Sequence, residues 1–475
     1  MAETQRLTRD QWMVLTAAFL GWMFDGVEIG LFPLVARPAL QELLADMGDA
    51  AVGRWNGVIV ACFLLGAALG GLVFGWLGDR IGRVRAMVLS ILVYSLFTGA
   101  GAFAQQAWHL GLFRFIASLG MGGEWAVAVA LVVECWPERH RPKLAGAIGA
   151  AANFGFLFIA LFAFFVPVIS VSGHGAPPAG IAGHVAEAFF SPWRRLMLVG
   201  ALPALLALFV MFLVPESERW KQAAKTATKL PVLEIFAAGL RKRTILAIIF
   251  SAIPLIGTWA AVSGWIPLWV EQMKQAELVE AQLPGSNLLA AEKSQLKEKL
   301  EEAKAQLPAG AWRDVSAASA KAKAGVQIVL SIGAIIACFV APVIGGIWGR
   351  RPVYFALCLL SLVSCAYLFR WLGPADKGLF WITALFVGGV TAAFYGWLPL
   401  YLPEIFPTRV RATGQGLSFN FGRILAAVGT LYMGQLVHWL GGDYATAMAN
   451  ITLVYILGMV LIWLAPETKG KPLPE

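Results

Sequence analysis

Charged side chains are scarce in this sequence, which counts against an ordinary water-soluble protein. Only 14% of its 475 residues are Asp, Glu, Lys or Arg, whereas 59% are hydrophobic. Soluble domains are typically about 25% charged and about 45–50% apolar. The composition therefore predicts an integral membrane protein whose main solvent is the lipid bilayer.

Motifs for metal binding, disulfide formation and catalysis are also missing. The five cysteines lie within or beside apolar runs and form no CxxC pair. No HExxH or Ser/His/Asp arrangement occurs at membrane depth. We therefore expect no enzyme activity, no metal and no cofactor.

The net charge of +9 is basic, but its distribution matters more than its size. Short connections of opposite phase contain few cations, which is the positive-inside pattern of membrane proteins. This pattern predicts two cytoplasmic termini in a plasma (inner) membrane and no nucleic-acid partner. The basic connections contain Arg80 to Arg85, Arg139 to Lys143, Arg219 to Arg243, Arg350 with Arg351, and Arg409 to Arg411.

What the sequence does contain is a series of apolar runs of about 20 residues. Each is long enough to cross about 30 Å of hydrocarbon as a helix. The first run exceeds a signal-peptide core and lacks a small-residue cleavage pattern, so it should remain as a span. We predict an all-α protein with twelve transmembrane helices at 12–34, 53–77, 84–104, 108–134, 143–170, 193–214, 244–270, 324–348, 352–371, 379–402, 411–438 and 444–465.

Two long external connections interrupt this series. The connection from Glu271 to Lys323 contains acids and bases among Ala, Gln and Leu, and its segment 288–307 is rich in helix formers. We expect an external helix there, in a solvated helical hairpin rather than a coiled-coil partner site. The second connection, 172–191, is rich in Gly, Pro and His, and a plain loop is favoured over a metal site.

An internal repeat divides the chain into two halves. Glu134, Pro137 and Arg141 recur 270 residues later as Glu404, Pro407 and Arg411, and the same offset aligns Gly75 with Gly345 and Arg80 with Arg350. Each half ends in a Pro-Glu-Ser or Pro-Glu-Thr turn. We predict a six-helix half at 1–214, a cytoplasmic linker at 215–243 and a second half at 244–475, with the external insert at 271–323. Transporters built from two six-helix halves bind their substrate at mid-membrane, between the halves.

The loop between spans 2 and 3 carries the most specific motif. It has the sequence Gly75-Trp-Leu-Gly-Asp79-Arg80-Ile-Gly82-Arg83-Val-Arg85. This stretch resembles the loop signature of the major facilitator superfamily. Span 4 with its exit, the Pro215-Glu216-Ser217 turn and the stretch 403–411 resemble its organic-acid:proton symporter and sugar-porter branches. The resemblance covers nearly the whole chain outside the two inserts and implies a monomeric secondary transporter that works by alternating access.

Charges at the cytoplasmic ends are interpreted as a gate that must open when the halves move. We expect Glu134 to pair with Arg141, and Glu404 with Arg411. The second-half loop lacks an acid, which suggests that Asp79 holds the gate asymmetrically. The predicted gate residues are Gly75, Asp79, Arg80, Gly82, Arg83, Glu134, Arg141, Arg350, Glu404, Arg409 and Arg411.

Three carboxylates lie deep in the predicted spans, where an ionisable side chain costs at least about 2.5 kcal/mol on insertion scales. Asp25 and Glu28 lie one turn apart in span 1, and Glu124 lies in span 4. For Asp25 the alternatives are proton coupling and an internal salt bridge. The Asp25-Gly-Val-Glu28 segment resembles the first-span motif of organic-acid:proton symporters, with Glu28 in place of its second Asp. Glu124 is either a proton relay or the partner of an arginine, Arg423 or Arg114.

Arg423 in span 11 cannot lose its charge and therefore needs an anion. It either grips a substrate carboxylate or pairs permanently with Glu124 or Asp25. Other polar or aromatic side chains in spans 5, 10 and 11 line a cavity or pack helices together. The predicted substrate-binding residues are Arg423, Asn420, Asn153, Gln415, Tyr395 and Trp397.

Mid-membrane carboxylates together with one arginine favour proton-coupled uptake of a small organic anion. The alternative is a sugar or polyol:proton symporter, which the Pro-Glu-Ser and Pro-Glu-Thr turns favour but which needs no buried arginine. The partners predicted are thus the anion, protons and the lipid bilayer.

Overall fold

A computed structural model of the chain describes residues 7–165, 191–226, 231–289, 295–308, 310–373, 376–431, 439 and 444–475. Within these ranges the regular structure is helical and contains no strand. The predicted loop at 172–191 lies outside the described residues apart from Ser191. The helices before residue 235 are α1 (Arg9–Leu43), α2 (Gly48–Ile81), α3 (Arg83–Ala100), α4 (Ala107–Cys135), α5 (Arg141–Phe165), α6 (Pro192–Val199), α7 (Ala204–Leu213), α8 (Glu218–Thr226) and α9 (Pro231–Glu234).

The helices of the second part follow the same pattern of long apolar elements. They are α10 (Arg241–Pro254), α11 (Ile266–Gln282), α12 (Leu296–Gln306), α13 (Ala311–Trp348), α14 (Arg350–Trp371), α15 (Lys377–Ala392), α16 (Phe394–Ile405), α17 (Arg411–Asn420), α18 (Gly422–Leu431), α19 (Tyr444–Ile451) and α20 (Val454–Leu461).

Ten helical segments among the described residues are long and apolar enough to cross a membrane. The predicted spans 7 and 11 are not in this set, and neither is one continuous α-helix. In span 7, Pro254 ends α10, and the π-helical segment Leu255–Ser263 precedes α11. In span 11, α17 ends at Asn420 and α18 begins at Gly422, and the residues after Leu431 are not described until Trp439.

The two halves repeat one local structure, but with a different alignment from the predicted one. Gly82 (φ 110°) and Gly349 (φ 108°) separate α2 from α3 and α13 from α14. The arginine after each glycine donates from Nη1 to a main-chain carbonyl five residues earlier, at 2.6 Å in Arg83 and 2.7 Å in Arg350.

The structure therefore aligns Arg83 with Arg350, an offset of 267, so the predicted alignment of Arg80 with Arg350, and with it that of Gly75 with Gly345, was wrong. The offset becomes 270 by the end of α4, because Glu134 lies 51 residues after Arg83 whereas Glu404 lies 54 after Arg350. The extra three residues fall between these two points of the second half.

The predicted insert forms a small helical unit. Within segment 288–307, α12 spans Leu296–Gln306, and 290–294 are not described. The ends of α11 and α13 extend to meet α12, and an ion pair of 2.9 Å joins Lys323 Nζ to Glu271 Oε2. Its own apolar core consists of Ala276, Val279, Leu288, Leu296, Leu300, Ala303 and Val315. We call the membrane face with this unit the insert side and the opposite face, with Asp79 and Arg83, the motif side.

Candidate functional site

Two unpartnered carboxylates face each other where α1 and α4 cross. Asp25 lies midway along α1 and Glu124 in α4, and both are fully buried. A side chain at Gly21, one turn before Asp25, would collide with the Glu124 carboxylate, so Glu124 packs directly on α1. No oxygen of either carboxylate accepts a hydrogen bond from the described residues. Asp25 lies within electrostatic range of both Glu124 and Arg423.

Helices α17 and α18 present a row of polar and aromatic side chains to this region. Gln415, Phe419 and Arg423 recur every four residues and so share one helix face. All three are buried. Neither polar atom of the Gln415 amide has a hydrogen-bond partner among the described residues, nor does Nη1 of Arg423. These orphaned groups are available to a bound molecule.

Aromatic rings fill the space between these polar groups. Trp125 of α4 stacks on Phe419 with ring centroids 3.8 Å apart and planes 13° apart. Trp22 of α1 approaches both rings, at 6.4 Å from Trp125 and 6.0 Å from Phe419, and Tyr395 lies 6.2 Å from Phe419. The guanidinium carbon of Arg423 lies 6.0 Å from the Phe419 ring centroid.

We call this cluster the central site. It consists of Trp22, Asp25, Glu124, Trp125, Tyr395, Gln415, Phe419 and Arg423. Trp22, Trp125 and Phe419 were not predicted from the sequence. A usable signal existed for two of them, because Trp22 lies three residues before Asp25 and Phe419 lies four residues before Arg423, spacings that place each beside a predicted residue.

The permanent ion pair considered for Arg423 is not present in the structure. Asp25 and Glu124 have no hydrogen-bond partner within the described residues, and Arg114, the other arginine considered for Glu124, binds Glu28 instead. Asp25, Glu124 and Arg423 thus lie near one another in the central site without a hydrogen-bonded ion pair between them.

Three predicted substrate residues make contacts with the protein. Asn420 donates from Nδ2 to the Gly122 carbonyl of α4 at 2.7 Å, and Asn153 to the Gly149 carbonyl at 3.4 Å. Trp397 lies apart from the central site, because its indole nitrogen donates to the Arg350 carbonyl at 3.0 Å. For Asn420 one atom, Oδ1, is left without a partner.

Glu28 belongs to a separate buried cluster. Its Oε1 binds Arg114 Nη1 of α4 and accepts a hydrogen bond of 2.9 Å from Thr98 of α3. The Arg114 guanidinium lies between the rings of Phe32 and Phe63, with its carbon 4.5 Å from each centroid. The arginine is thereby neutralised and shielded within the first half.

On the motif side, an ionic network built on Glu134 joins the two halves. Arg83 donates from Nη2 to Glu134 at 3.0 Å and also to the Thr408 carbonyl at 2.8 Å. Arg411 of the second half donates from Nη1 to the same Glu134 oxygen at 2.9 Å. The predicted pairing of Glu134 with Arg141 was therefore wrong, because the arginine that begins the next helix points across to the other half.

The second half repeats this arrangement. Arg350 binds Glu404 through Nε and Nη2, at 2.9 and 2.6 Å, and Arg141 of the first half approaches Glu404 at 3.5 Å. The predicted pairing of Glu404 with Arg411 was thus also wrong. Two crossed ion pairs, Arg411–Glu134 and Arg141–Glu404, connect the halves.

Asp79 makes the network asymmetric. Its carboxylate accepts hydrogen bonds from the main chain of Ala412 and Thr413, at 3.2 and 2.8 Å, and from the Thr413 hydroxyl at 2.6 Å. It therefore caps the first turn of α17 across the halves. At the 267-residue offset the second half has Gly346, which faces Pro142, a residue without an N–H.

The remaining predicted gate residues lie around this network. A side chain at Gly75 would contact the Ala412 carbonyl, so α2 and α17 approach closely there. Gly82 provides the bend before Arg83. Arg409 pairs with Glu234 of the linker helix α9. Arg80 is exposed and lies over the Trp76 ring at 5.3 Å, outside the network.

Known proteins resemble the chain along most of its length. It is 26% identical to a putative metabolite transport protein of Haemophilus influenzae, over 99% of this chain and 100% of the relative. It is 25% identical to a cis,cis-muconate transport protein of Acinetobacter baylyi, over 96% and 94%. A solved structure of the proton:xylose symporter XylE matches 98% of both chains with a TM-score of 0.63 at 20% identity, which shows the fold alone.

Family models agree with these matches. Residues 315–475 match the model described as "Sugar (and other) transporter", and residues 12–290 match that of the Major Facilitator Superfamily. The predictions of a twelve-helix transporter fold and of a transporter rather than an enzyme are thereby confirmed. Because the Major Facilitator Superfamily model covers more than half of the sequence, the chain belongs to that superfamily.

Proposed function

We propose that this transporter carries a small organic carboxylate together with protons into the cell, by alternating access of the halves 1–214 and 244–475. The observation that carries the proposal is Arg423, which is buried in the central site with Nη1 free of any described hydrogen-bond partner. A permanent cation in a low-dielectric site needs an anion, and a substrate carboxylate can take both guanidinium N–H groups.

The supply of buried acids supports proton coupling. Asp25 and Glu124 are neighbours, and no cation of the described residues forms a hydrogen bond with either. Two such carboxylates repel each other when both are charged, so protonation of one is favoured. Glu28 holds Arg114 in a second cluster, so the first half contains two places where a proton can bind. An anionic substrate that binds at Arg423 changes the electrostatic potential at Asp25. Substrate binding and proton binding are thereby coupled.

The named relatives fit a carboxylate substrate. They include the cis,cis-muconate transport protein and a niacin transporter of Acinetobacter baylyi, the latter 32% identical over 42% of this chain. We further propose that the motif side faces the cytoplasm, following the positive-inside distribution of Arg and Lys. Each chain then works as a monomer, because its two halves enclose one pathway.

The test is carrier-dependent internal acidification of proteoliposomes upon addition of lactate, pyruvate, muconate, benzoate or glucose, with protein-free liposomes as the leak control. We expect acidification with at least one acid, its loss in Arg423→Gln, and its retention in Arg370→Gln, which removes an exposed cation at the end of α14. A response to glucose alone would overturn the proposal and favour a sugar:proton symporter.

A further inference from the structure

The stack of Trp125 on Phe419 is a face-to-face ring contact at the centre of the structure that must break for the halves to part. Trp125 belongs to the first half and Phe419 to the second, and their faces lie in contact at 3.8 Å. Both residues are buried. Their separation exposes two aromatic faces at the point where the central site opens.

From this geometry we infer that the Trp125–Phe419 stack is the specificity element of the central site and selects planar, conjugated carboxylates over saturated ones. The inference rests on the proposed carboxylate function and adds the substrate class. A flat π-system can enter between the two rings and restore a face contact to each, once they have parted by the thickness of one ring, about 3.5 Å.

Arg423 sets the orientation of such a substrate. Its guanidinium carbon lies over the Phe419 ring, 6.0 Å from the centroid. A carboxylate conjugated to a ring or diene is coplanar with it, so a substrate lying flat against Phe419 can present its carboxylate to Arg423. Trp22 and Tyr395 stand edge-on to Phe419 and bound the slot between the rings at its sides.

A saturated ring of the same carbon number lacks this fit. Its puckered shape needs a wider gap, and its C–H faces forgo the attraction that aromatic pairs gain beyond burial of area. The carboxylate contact with Arg423 would be the same for both acids. Discrimination should therefore appear as a ratio of affinities and not as an all-or-none effect.

The test is calorimetric titration of the purified full-length transporter with benzoate and cyclohexanecarboxylate. We expect benzoate to bind about tenfold more tightly in the wild type. Phe419→Leu should bring this ratio close to one by weakening benzoate while leaving cyclohexanecarboxylate within about twofold. Trp125→Leu should act in the same direction, which covers the case in which one variant is poorly folded. Phe158→Leu, which alters a ring 62% exposed on the lipid-facing surface, should leave both affinities unchanged.

Each contrary result has a distinct meaning. Equal binding of the two acids by the wild type, or a tenfold preference that survives in Phe419→Leu and Trp125→Leu, overturns the stack as specificity element. If those acids still require Arg423, the proposed carboxylate function stands. Binding of neither acid overturns the stack, and binding of glucose in its place overturns the carboxylate function as well.

Discussion

Individual buried charges in the first half have contrasting surroundings. Arg114 has a carboxylate partner and two aromatic rings, whereas Asp25 and Glu124 have no hydrogen-bond partner. An unsatisfied group is free to take up a proton or a ligand, whereas a satisfied pair such as Glu28–Arg114 can exchange a proton only when the pair opens. The same distinction separates Arg423 from the arginines of the motif side.

Glu28→Gln should uncouple transport from the proton gradient. The amide cannot exchange a proton, and it leaves Arg114 as a buried cation without its counter-ion. We expect pH-driven accumulation of substrate in proteoliposomes to disappear, while exchange of labelled for unlabelled substrate across the membrane persists. Thr98→Val, which removes only the 2.9 Å hydroxyl contact to Glu28, is the control and should retain accumulation. Accumulation by Glu28→Gln at the wild-type level would contradict this role.

Asp79→Asn should loosen the motif side. The neutral amide weakens the cap on α17, and hydrogen bonds to a charged acceptor contribute about 1.5–3 kcal/mol each. We expect maleimide labelling of a single cysteine at Thr408, a position only 4% exposed, to rise about tenfold in a background without native cysteines. Asp314→Asn, an exposed acid on the insert side, should not alter labelling. An unchanged rate in Asp79→Asn would show that Asp79 does not hold the closed state.

At the scale of helices, span 7 depends on a close approach at Gly257. A Cβ atom there would meet the ring of Tyr455 at 2.5 Å. Tyr455 cannot easily yield, because it stacks on Phe394 and lies within 3.1 Å of the Thr258 hydroxyl. The π-helical segment is therefore held in position in the second half by its packing against Tyr455.

Gly257→Ala should consequently destabilise the protein through overpacking. Extra carbon atoms in a filled core typically cost about 1–3 kcal/mol. We expect a lower melting temperature in a thermal-unfolding assay with the protein in detergent. Gly239→Ala is the matched control, because no atom lies within 4 Å of the Cβ that it adds. Equal melting temperatures for the two variants would mean that the Tyr455 ring moves aside without cost.

Two carboxylates, Glu216 and Glu467, cap the equivalent helices α3 and α14, yet their pKa values are shifted in opposite directions. Burial raises the pKa of Glu216, and its main-chain hydrogen bonds from Arg83 and Val84 do not compensate. At Glu467 burial also opposes the charge, but four main-chain N–H groups outweigh it and lower the pKa. The charge of Glu467 thus contributes stability above its unfolded pKa of about 4.5, and this is lost as pH falls through the folded pKa. The protonated form of Glu216 contributes stability below its unfolded pKa of about 4.5, and this contribution is lost as pH rises through its folded pKa.

Glu467→Gln should therefore cost more stability than Glu216→Gln at pH 7. The first substitution removes a favoured charge, whereas the second removes a charge that burial disfavours. Thermal unfolding of both variants at pH 7 and near pH 4 checks this, and we expect the difference between them to shrink at the lower pH. The reverse order at pH 7 would contradict the assignment of the two caps.

For the whole molecule, the sequence predicted elements far better than the contacts between them. Apolar runs define the spans because a helix must cross a fixed thickness, and the Gly82 motif is local. The partners of Glu28 and Trp125 lie 86 and 294 positions away, at Arg114 and Phe419, and no spacing rule connects such positions. The crossed ion pairs were missed for the same reason, since the nearest charge in sequence is not the nearest in space.

The C-terminal segment of the chain extends this connection between the halves. The Lys471 carbonyl accepts a hydrogen bond from Arg141 of the first half at 3.3 Å, and the Pro474 carbonyl accepts one from Arg411 of the second at 2.9 Å. Leu473 is buried, and its main-chain N–H donates to Glu138 at 3.4 Å. The segment 469–475 therefore lies across the motif side and bonds to both arginines of the crossed ion pairs.

Removal of residues 470–475, which keeps the Lys469 N–H that donates to Glu467, should favour opening on the motif side. Arg141 and Arg411 each lose an acceptor that the closed state provides, so closure becomes less favourable while each half keeps its own packing. We expect faster labelling of the Thr408 cysteine together with an almost unchanged melting temperature. Leu473→Ala separates the contributions, because it keeps the main-chain carbonyls and should raise labelling less than the truncation does. Equal effects of the two changes would assign the closure to the buried leucine, and no effect of either would exclude the segment from the gate.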